Sequence, residues 1–266
     1  MDRVLKFVII CGPAGSGKSV LTGELSALIE SYGAVVARVN FDPAAEYTPY
    51  DPDVDIRQYV MVRDLMKKGL GPNGAIIAAV DSMVNHVFDV RKVIEDINPD
   101  YVIVDTPGQI ELFAYRHGGP FVFEALTYGY PTVVVFLMDA LFFTSPANMV
   151  SVFLLASSVA MRFKKPQINV ISKADLIPPE RRREILEKLG EEGFLSSLSE
   201  EIQDHFTRSL ATRLAEALYE SGFVGEVIPV SVEDMESLSN LYAKITQMLS
   251  GGEEHKYYDI TKSEDL

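Results

Sequence analysis

Apolar, β-branched runs alternate with helix-length segments along the chain. The runs Val4–Ile10, Val35–Phe41, Tyr101–Val104, Thr132–Met138, Gln167–Ile171 and Glu226–Val230 predict strands. They are continuous more than alternating, as expected of parallel strands buried on both faces. Leu21, Leu25 and Leu28 follow the first run at helical spacing. Phe206, Leu210, Leu214 and Leu218 repeat in the same way, as do Leu238, Leu241, Ile245 and Leu249. This succession predicts an α/β fold, a three-layer sandwich with a mostly parallel sheet and helices on both faces. Residues 1–250 are expected to form a single domain, because no Pro-, Gly- or Ser-rich linker divides them and no internal repeat is found.

Two stretches exceed a minimal sheet unit and read as helical insertions. Residues 47–100 hold about two helices and the turn Gly71-Pro72-Asn73-Gly74. Residues 142–163 are apolar, with Met149, Phe153, Ala156, Ala160 and Phe163 near helical spacing. That stripe reads as core. An oligomer interface is the second reading, because Phe142, Phe143 and Met161 add apolar faces beyond one stripe. Residues 251–266 carry Glu253, Glu254, Glu264 and Asp265 and are expected to be a flexible acidic tail.

Composition narrows the chemistry. In 266 residues, 38 Asp and Glu oppose 24 Lys and Arg, a net charge of −14. Such a surface repels phosphate backbones, so direct nucleic-acid binding is not expected. A local basic pocket for one nucleotide stays compatible with it. The single cysteine, Cys11, excludes an internal disulfide and a thiolate metal cluster within one chain. It lies in an apolar run and reads as a buried free thiol. His86, His117, His205 and His255 show no metal-ligand spacing. The first apolar run is short and leads straight into a motif, so it does not read as a signal peptide. Val133–Phe143 is interrupted by Asp139 and is shorter than the roughly 20 residues of a membrane span. A cytoplasmic protein with no membrane association is expected.

Gly12-Pro13-Ala14-Gly15-Ser16-Gly17-Lys18-Ser19 matches the phosphate-loop pattern GxxxxGKS/T at every fixed position. An apolar strand precedes it and a helix pattern starts near Ser19. Glycines let the backbone turn its N–H groups around a polyphosphate, and the helix presents its positive end. Lys18 is expected to reach the β- and γ-phosphates, and Ser19 to coordinate Mg²⁺. The motif specifies a nucleoside triphosphate and leaves base and reaction open.

Carboxylates follow two other strands. Val102-Ile103-Val104-Asp105-Thr106-Pro107-Gly108 is an apolar strand that ends in an acid and a sharp turn. Asp105 can hold the Mg²⁺ shell, and the Gly108 N–H can sense a γ-phosphate. Asp42, in Asn40-Phe41-Asp42-Pro43-Ala44, sits where a carboxylate can hold a Mg²⁺-bound water or polarise the attacking one. Gln109 and Glu111 are two residues apart, so in an extended segment both point one way, and either can orient a water.

Ser172-Lys173-Ala174-Asp175 reads as the base-selecting N/TKxD signature with Ser in the first place. Asp175 can accept hydrogen bonds from guanine N1–H and the exocyclic amine, a donor pair that adenine lacks. The Lys173 stem can cover the ring. Ser172 is expected to tie this loop to the phosphate loop. Ser231 and Val232, after the last strand, are positioned for backbone contacts to the base. Lys18, Asp42, Asp105, Asp175 and Ser231 each follow a strand, and a parallel sheet gathers such positions at its carboxyl edge.

With these motifs in place, the chain resembles the GPN-loop GTPases of archaea and eukaryotes. Gly71-Pro72-Asn73 matches the namesake triplet, and GPAGSGKS, NFDPA, DTPGQIE and SKADL stand where the family has them. The resemblance runs from Gly12 to Ser231 and implies a P-loop fold and Mg²⁺-dependent hydrolysis of GTP to GDP and phosphate. It implies a homodimer whose nucleotide sites face the interface. Asn73 would then contact the γ-phosphate held by the other subunit, with no separate arginine finger. Gln109 and Glu111 would position the water, and hydrolysis would loosen the distal surface of the dimer. An apolar groove for a client peptide is also implied, as is a role in assembling a large complex such as RNA polymerase. The absence of a long C-terminal extension favours an archaeal member.

Two other classes share the phosphate loop. A P-loop kinase acting on a small molecule or polynucleotide would need a basic lid, for which Arg181-Arg182-Arg183 is the dense basic run. That run reads more simply as a solvated helix start. A non-hydrolysing, nucleotide-gated binding module would leave Gln109 and Glu111 idle.

Overall fold

A computed structural model describes residues 4–250 apart from His117 and Gly225. The acidic segment 251–266 and His255 lie outside the described residues. β1 (Lys6–Cys11) leads into α1 (Lys18–Ser31), followed by β2 (Val36–Asn40) and the short β3 (Val54–Asp55). α2 (Val62–Lys67), α3 (Pro72–Ser82) and α4 (Val87–Ile97) precede β4 (Tyr101–Asp105). α5 (Ile110–Tyr115) and α6 (Gly118–Thr127) precede β5 (Thr132–Asp139). α7 (Pro146–Phe163) leads to β6 (Gln167–Ser172). α8 (Pro179–Lys188), α9 (Phe194–Ser199) and α10 (His205–Glu220) come before β7 (Val227–Val230), and α11 (Met235–Ser250) closes the described chain.

The strands form one sheet in the order β3-β2-β4-β1-β5-β6-β7, and every pair is parallel. The strands predicted from the apolar runs are all present. β3 was not predicted, because two residues cannot make a periodic signal. Alternate β1 side chains serve opposite faces. Val8 and Ile10 pack with Leu21 and Leu25 of α1 and Leu241 and Ile245 of α11. Phe7, Ile9 and Cys11 pack with the cluster that α3, α4, α6 and α7 close on the other face. Cys11 is fully buried, and burial pushes its thiol up to about 12. It is an inert core thiol.

Residues 62–97 hold more helix than the sequence pattern suggests, with α2, α3 and α4 all present. In α7, Met149, Phe153, Ala156 and Phe163 are buried, while Met161 is exposed. α7 is the one described helix long and apolar enough to cross a membrane, yet it packs one face against α10, α9, α5 and α6. In α10 the predicted stripe is displaced: Ala211, Ala215 and Leu218 are buried, whereas Phe206 and Leu210 face solvent. The small alanines let this helix approach α9 and α7 closely, so the larger side chains lie on the outer face.

β1 is central, and the chain leaves it to one side toward β2 and later crosses to the other side at β5. The crevice at this reversal, outside the carboxyl ends of the strands, is where such sheets bind ligands. Here the backbone comes very close to itself. Gly12 has φ +150, and a Cβ on it would lie 2.5 Å from the Leu137 carbonyl oxygen of β5. Gly15 has φ +77, but a Cβ there would meet nothing within 4 Å. Gly12→Ala is therefore expected to cost about 2–5 kcal/mol, because strain and overpacking add. Gly15→Ala should cost about 1 kcal/mol from backbone strain alone. Denaturant unfolding of the nucleotide-free variants checks this, and equal losses would remove the role given to the Leu137 contact.

Candidate functional site

The phosphate loop joins β1 to α1. Gly17, at φ 89, turns the chain into α1, whose first turn carries no acidic residue. The positive helix end therefore faces the loop uncompensated, a ready site for an anion. Lys18 is buried. Its Nζ donates to the carbonyls of Gly12 at 3.1 Å and Pro13 at 2.9 Å, so the ammonium is folded back onto its own loop. Burial lowers its pKa, against the opposing pull of Asp105, Cys11, Asp42 and Glu111. The Ser16 Oγ is buried without a hydrogen-bond partner.

Asp105 ends β4 beside this loop. It is 2% exposed, its Oδ2 accepts from the Tyr50 hydroxyl at 3.1 Å, and its Oδ1 is buried without a partner. Burial pushes it up to about 6, while the Ser19 and Tyr50 hydroxyls and Lys18 pull it back down. An orphaned carboxylate oxygen next to a hydroxyl and a second acid, Asp42, suits a divalent cation. Among the described residues no cluster of three or more His, Cys, Asp or Glu side chains forms a self-contained metal site. The two carboxylates and the hydroxyl that are present fit Mg²⁺, which is bound through one or two carboxylates together with substrate phosphates and water.

Asp42 is half-buried and bridges two loops. Its Oδ1 accepts from the Ala44 N–H at 2.8 Å and its Oδ2 from the Gly108 N–H at 3.0 Å. The donor expected to sense a γ-phosphate is thus held by a carboxylate in this state. Thr106 Oγ1 donates to the Ile10 carbonyl at 2.9 Å and fastens the root of the same turn to β1. A cavity of about 240 Å³ opens here, between Ala14, Asp42, Gly108 and Gln109 on one side and Ile76 and Val80 of α3 on the other.

Gln109 and Glu111 do not share an extended segment. Gln109 precedes α5 and Glu111 sits in its first turn. The backbone turns from the non-helical Gln109 into the helix at Ile110, so the two side chains do not keep the alternation of an extended segment. Gln109 lines the cavity and Glu111 does not, although the Glu111 charge is felt by Lys18. The Gly71-Pro72-Asn73 triplet is the first turn of α3, with Pro72 at its first position. Gly71, Pro72, Asn73 and Gly74 are all exposed, and a Cβ on Gly71 or Gly74 would meet nothing within 4 Å. The fold brings α3 to the site and leaves Asn73 exposed in the first turn of that helix.

On the other side of the loop, a second cavity of about 270 Å³ runs from Ser16 and Gly17 to Lys173 and Asp175. Ser172, Ser231 and Val232 also line it. The expected tie from Ser172 to the phosphate loop is not present. Ser172 Oγ donates to the Met138 carbonyl at 3.3 Å, because its short side chain reaches only the adjacent strand. Lys173 makes the tie instead, donating from Nζ to the Gly15 carbonyl at 2.7 Å. The Ser231 N–H is already taken by Ser237 Oγ at 3.1 Å.

Three polar partners escaped the sequence reading: Tyr50 on Asp105, Asp139 on Lys173 and Ser237 on Ser231. Asp139 followed a predicted strand, and that position was the available signal. Tyr50 and Ser237 carried none. The arginine run begins α8 as expected. Arg181 pairs with Glu184 at 2.7 Å, Arg183 lies 3.9 Å from Glu187, and Arg182 Nη1 donates to the Ala174 carbonyl.

Sheet order, phosphate loop and paired acids at the crevice define a P-loop nucleotide-binding protein. Residues 10–251 match the family described as "conserved hypothetical ATP binding protein". The chain is 31% identical over 252 residues to GPN-loop GTPase 3 of Kluyveromyces lactis, with 92% of each chain covered. It is 34% identical over 177 residues to a GPN-loop GTPase of Pyrococcus abyssi, covering 66% of this chain and 70% of that one. The crystal structure of a Pyrococcus abyssi GTPase in apo form superposes with a TM-score of 0.80 at 28% identity, covering 91% of this chain and 97% of that one. The chain belongs to the GPN-loop GTPase family.

Asp105 gives the site a pH signature. Its folded pKa of about 6 lies above the ordinary 3.8, so the folded chain keeps a proton that the unfolded chain releases. The stability this contributes is full below the unfolded pKa and is lost as pH rises through the folded one. Asp105→Asn is therefore expected to stabilise the nucleotide-free protein by about 1–3 kcal/mol at pH 8 and by far less near pH 4. Urea unfolding at both pH values checks this, and a gain independent of pH would contradict it.

Proposed function

We propose that the chain binds GTP with Mg²⁺ and hydrolyses it to GDP and phosphate. The observation that carries this reading is a single cavity that joins the phosphate loop to Asp175. A nucleoside whose phosphates lie on the loop has its base in reach of that carboxylate. Guanine offers the donor pair that Asp175 can accept, and adenine would leave it without partners. Names of relatives support the same choice of base, although the family description speaks of ATP.

Lys18 and the loop N–H groups bind the phosphates and compensate their charge. Ser19, Asp42 and Asp105 would hold Mg²⁺, which would supply positive charge against the charge that develops on the phosphates. To reach the γ-phosphate, the Gly108 N–H must leave the Asp42 carboxylate, whose freed oxygen then serves the cation. Gln109 orients the attacking water from the wall of the γ-side cavity, and Glu111 acts at longer range through its charge. Asn73 is exposed on α3, and we assign its partner as the nucleotide of a second copy in a homodimer. An amide supplies one hydrogen bond and less charge than arginine, so turnover is modest.

We assign the protein to the cytoplasm, as an assembly factor for a large complex such as RNA polymerase. Exposed Met161 on α7 and exposed Phe206 and Leu210 on α10 are the apolar side chains we assign to a client peptide.

Phosphate release from GTP and ATP, followed over a protein concentration series, tests this function. GTP-selective release that rises per subunit with concentration is expected. Asn73→Ala should lower it about 10-fold or more. Asp175→Ala should reduce the preference for GTP over ATP by about 100-fold. Equal use of ATP by the wild-type chain would refute the role of Asp175.

A further inference from the structure

We propose that Asp139 is a positioning residue for nucleobase recognition, holding Lys173 against the phosphate loop so that the Asp175 loop is fixed before a nucleotide enters. The inference rests on the reading of Asp175 as the base-selecting group. Asp139 ends β5 directly opposite Ser172 of β6 and is 8% exposed. Its Oδ2 accepts from Lys173 Nζ at 2.6 Å. The same ammonium donates to the Gly15 carbonyl at 2.7 Å. One lysine head therefore links three strand-end loops: those after β1, β5 and β6.

The backbone of Lys173 needs such a hold. Its φ is 54, in the left-handed region that favours glycine. A lysine placed there has a conformational cost, offset when its side chain is fixed at the far end. The Asp139 carboxylate is largely shielded from water, and a hydrogen bond between ionised groups is roughly twice as strong as a neutral one. Asp175 lies two residues beyond Lys173, in the short 3-10 turn Ala174–Leu176 that Lys173 caps. Fixing Lys173 thus fixes the carboxylate that reads the base. The Lys173 stem also lines the base cavity, with Cε 4.0 Å from where a Cβ on Gly17 would be. A pinned stem gives the ring a flat wall. Without the carboxylate the ammonium keeps only the Gly15 carbonyl, and the stem is free to swing toward solvent.

Asp139 has a second contact that a merely structural role would use. Its Oδ1 accepts from the Leu141 N–H at 2.9 Å. Asp139→Asn keeps an acceptor for that N–H and removes the charge facing Lys173, whereas Asp139→Ala removes both. The experiment follows release of a fluorescent GDP analogue from the full chain, chased with unlabelled GDP and, separately, with ADP. Asp139→Asn should speed release by about 10-fold or more and lower the preference for GDP over ADP. In a Lys173→Met background, which keeps the stem and removes the ammonium, Asp139→Asn should add less than about 2-fold, because the two residues act as one unit. Release from Asp139→Asn at the wild-type rate, with Asp139→Ala alone impaired, would overturn the proposal in favour of a cap for Leu141. Fully additive effects in the double variant would overturn it too. A wild-type chain that binds GDP and ADP alike would overturn the base-site reading and this proposal together. Guanine preference in the wild type with unchanged release from Asp139→Asn would overturn this proposal alone.

Discussion

A buried ammonium organises the carboxyl edge of the sheet. Lys18 sits beneath the phosphate loop, and its charge cannot be left without partners there. In the nucleotide-free chain the Gly12 and Pro13 carbonyls satisfy it directly. Asp105 and Asp42 favour its charged form at longer range. The loop must therefore curl tightly enough to aim carbonyls inward, which Gly12 allows because only a hydrogen fits beside the Leu137 carbonyl. The central place of β1 follows from the same need. Only a strand with neighbours on both sides can set its loop between the acid that ends β4 and the β5 carbonyl that crowds Gly12.

The same charge explains why Asp105 is tolerated. A carboxylate that is 2% exposed is held well above its usual range, and Lys18 and two hydroxyls restore only part of the loss. Asp105 carries this electrostatic burden in the place where a cation would relieve it. Tyr50 lessens it by occupying one carboxylate oxygen, and its Cβ and the Pro49 carbonyl lie against α1 near Gly23. Stability and function oppose each other at this residue, a familiar feature of sites built to receive charge.

What was legible in the sequence was what periodicity or a rigid motif encodes. Continuous apolar runs marked the central strands because both sheet faces are covered. The phosphate loop was legible because each glycine answers a backbone demand. The misses have a common cause. Ser172 and Lys173 were both placed in one loop, but which of them reaches the phosphate loop depends on side-chain length and on the neighbouring strand. Gln109 and Glu111 were placed on one face because the chain was taken as extended where α5 begins. In α10, alanines rather than Phe206 and Leu210 face inward, because close helix packing selects small residues over large ones. Tyr50 reaches Asp105 across 55 positions, a pairing that only the folded chain reveals.

The two sides of the phosphate loop are built with different stiffness. On the base side, Lys173 is held by an acid and a carbonyl, and Ser231 is held on both N–H and carbonyl by Ser237. Selecting a base requires walls that do not adapt, since an adaptable wall would repack around the wrong ring. On the γ side, the turn after β4 is fastened at its root by Thr106 but held at Gly108 by one hydrogen bond to Asp42. A single charge-assisted bond is strong enough to define a resting state and weak enough for an incoming anion to displace. Ile76 and Val80 of α3 face that same turn, so a change at Gly108 meets the helix whose first turn displays Asn73. In the function proposed above, the rigid half is the one that discriminates between nucleotides. The half held by one bond has the freedom to register whether a terminal phosphate is present.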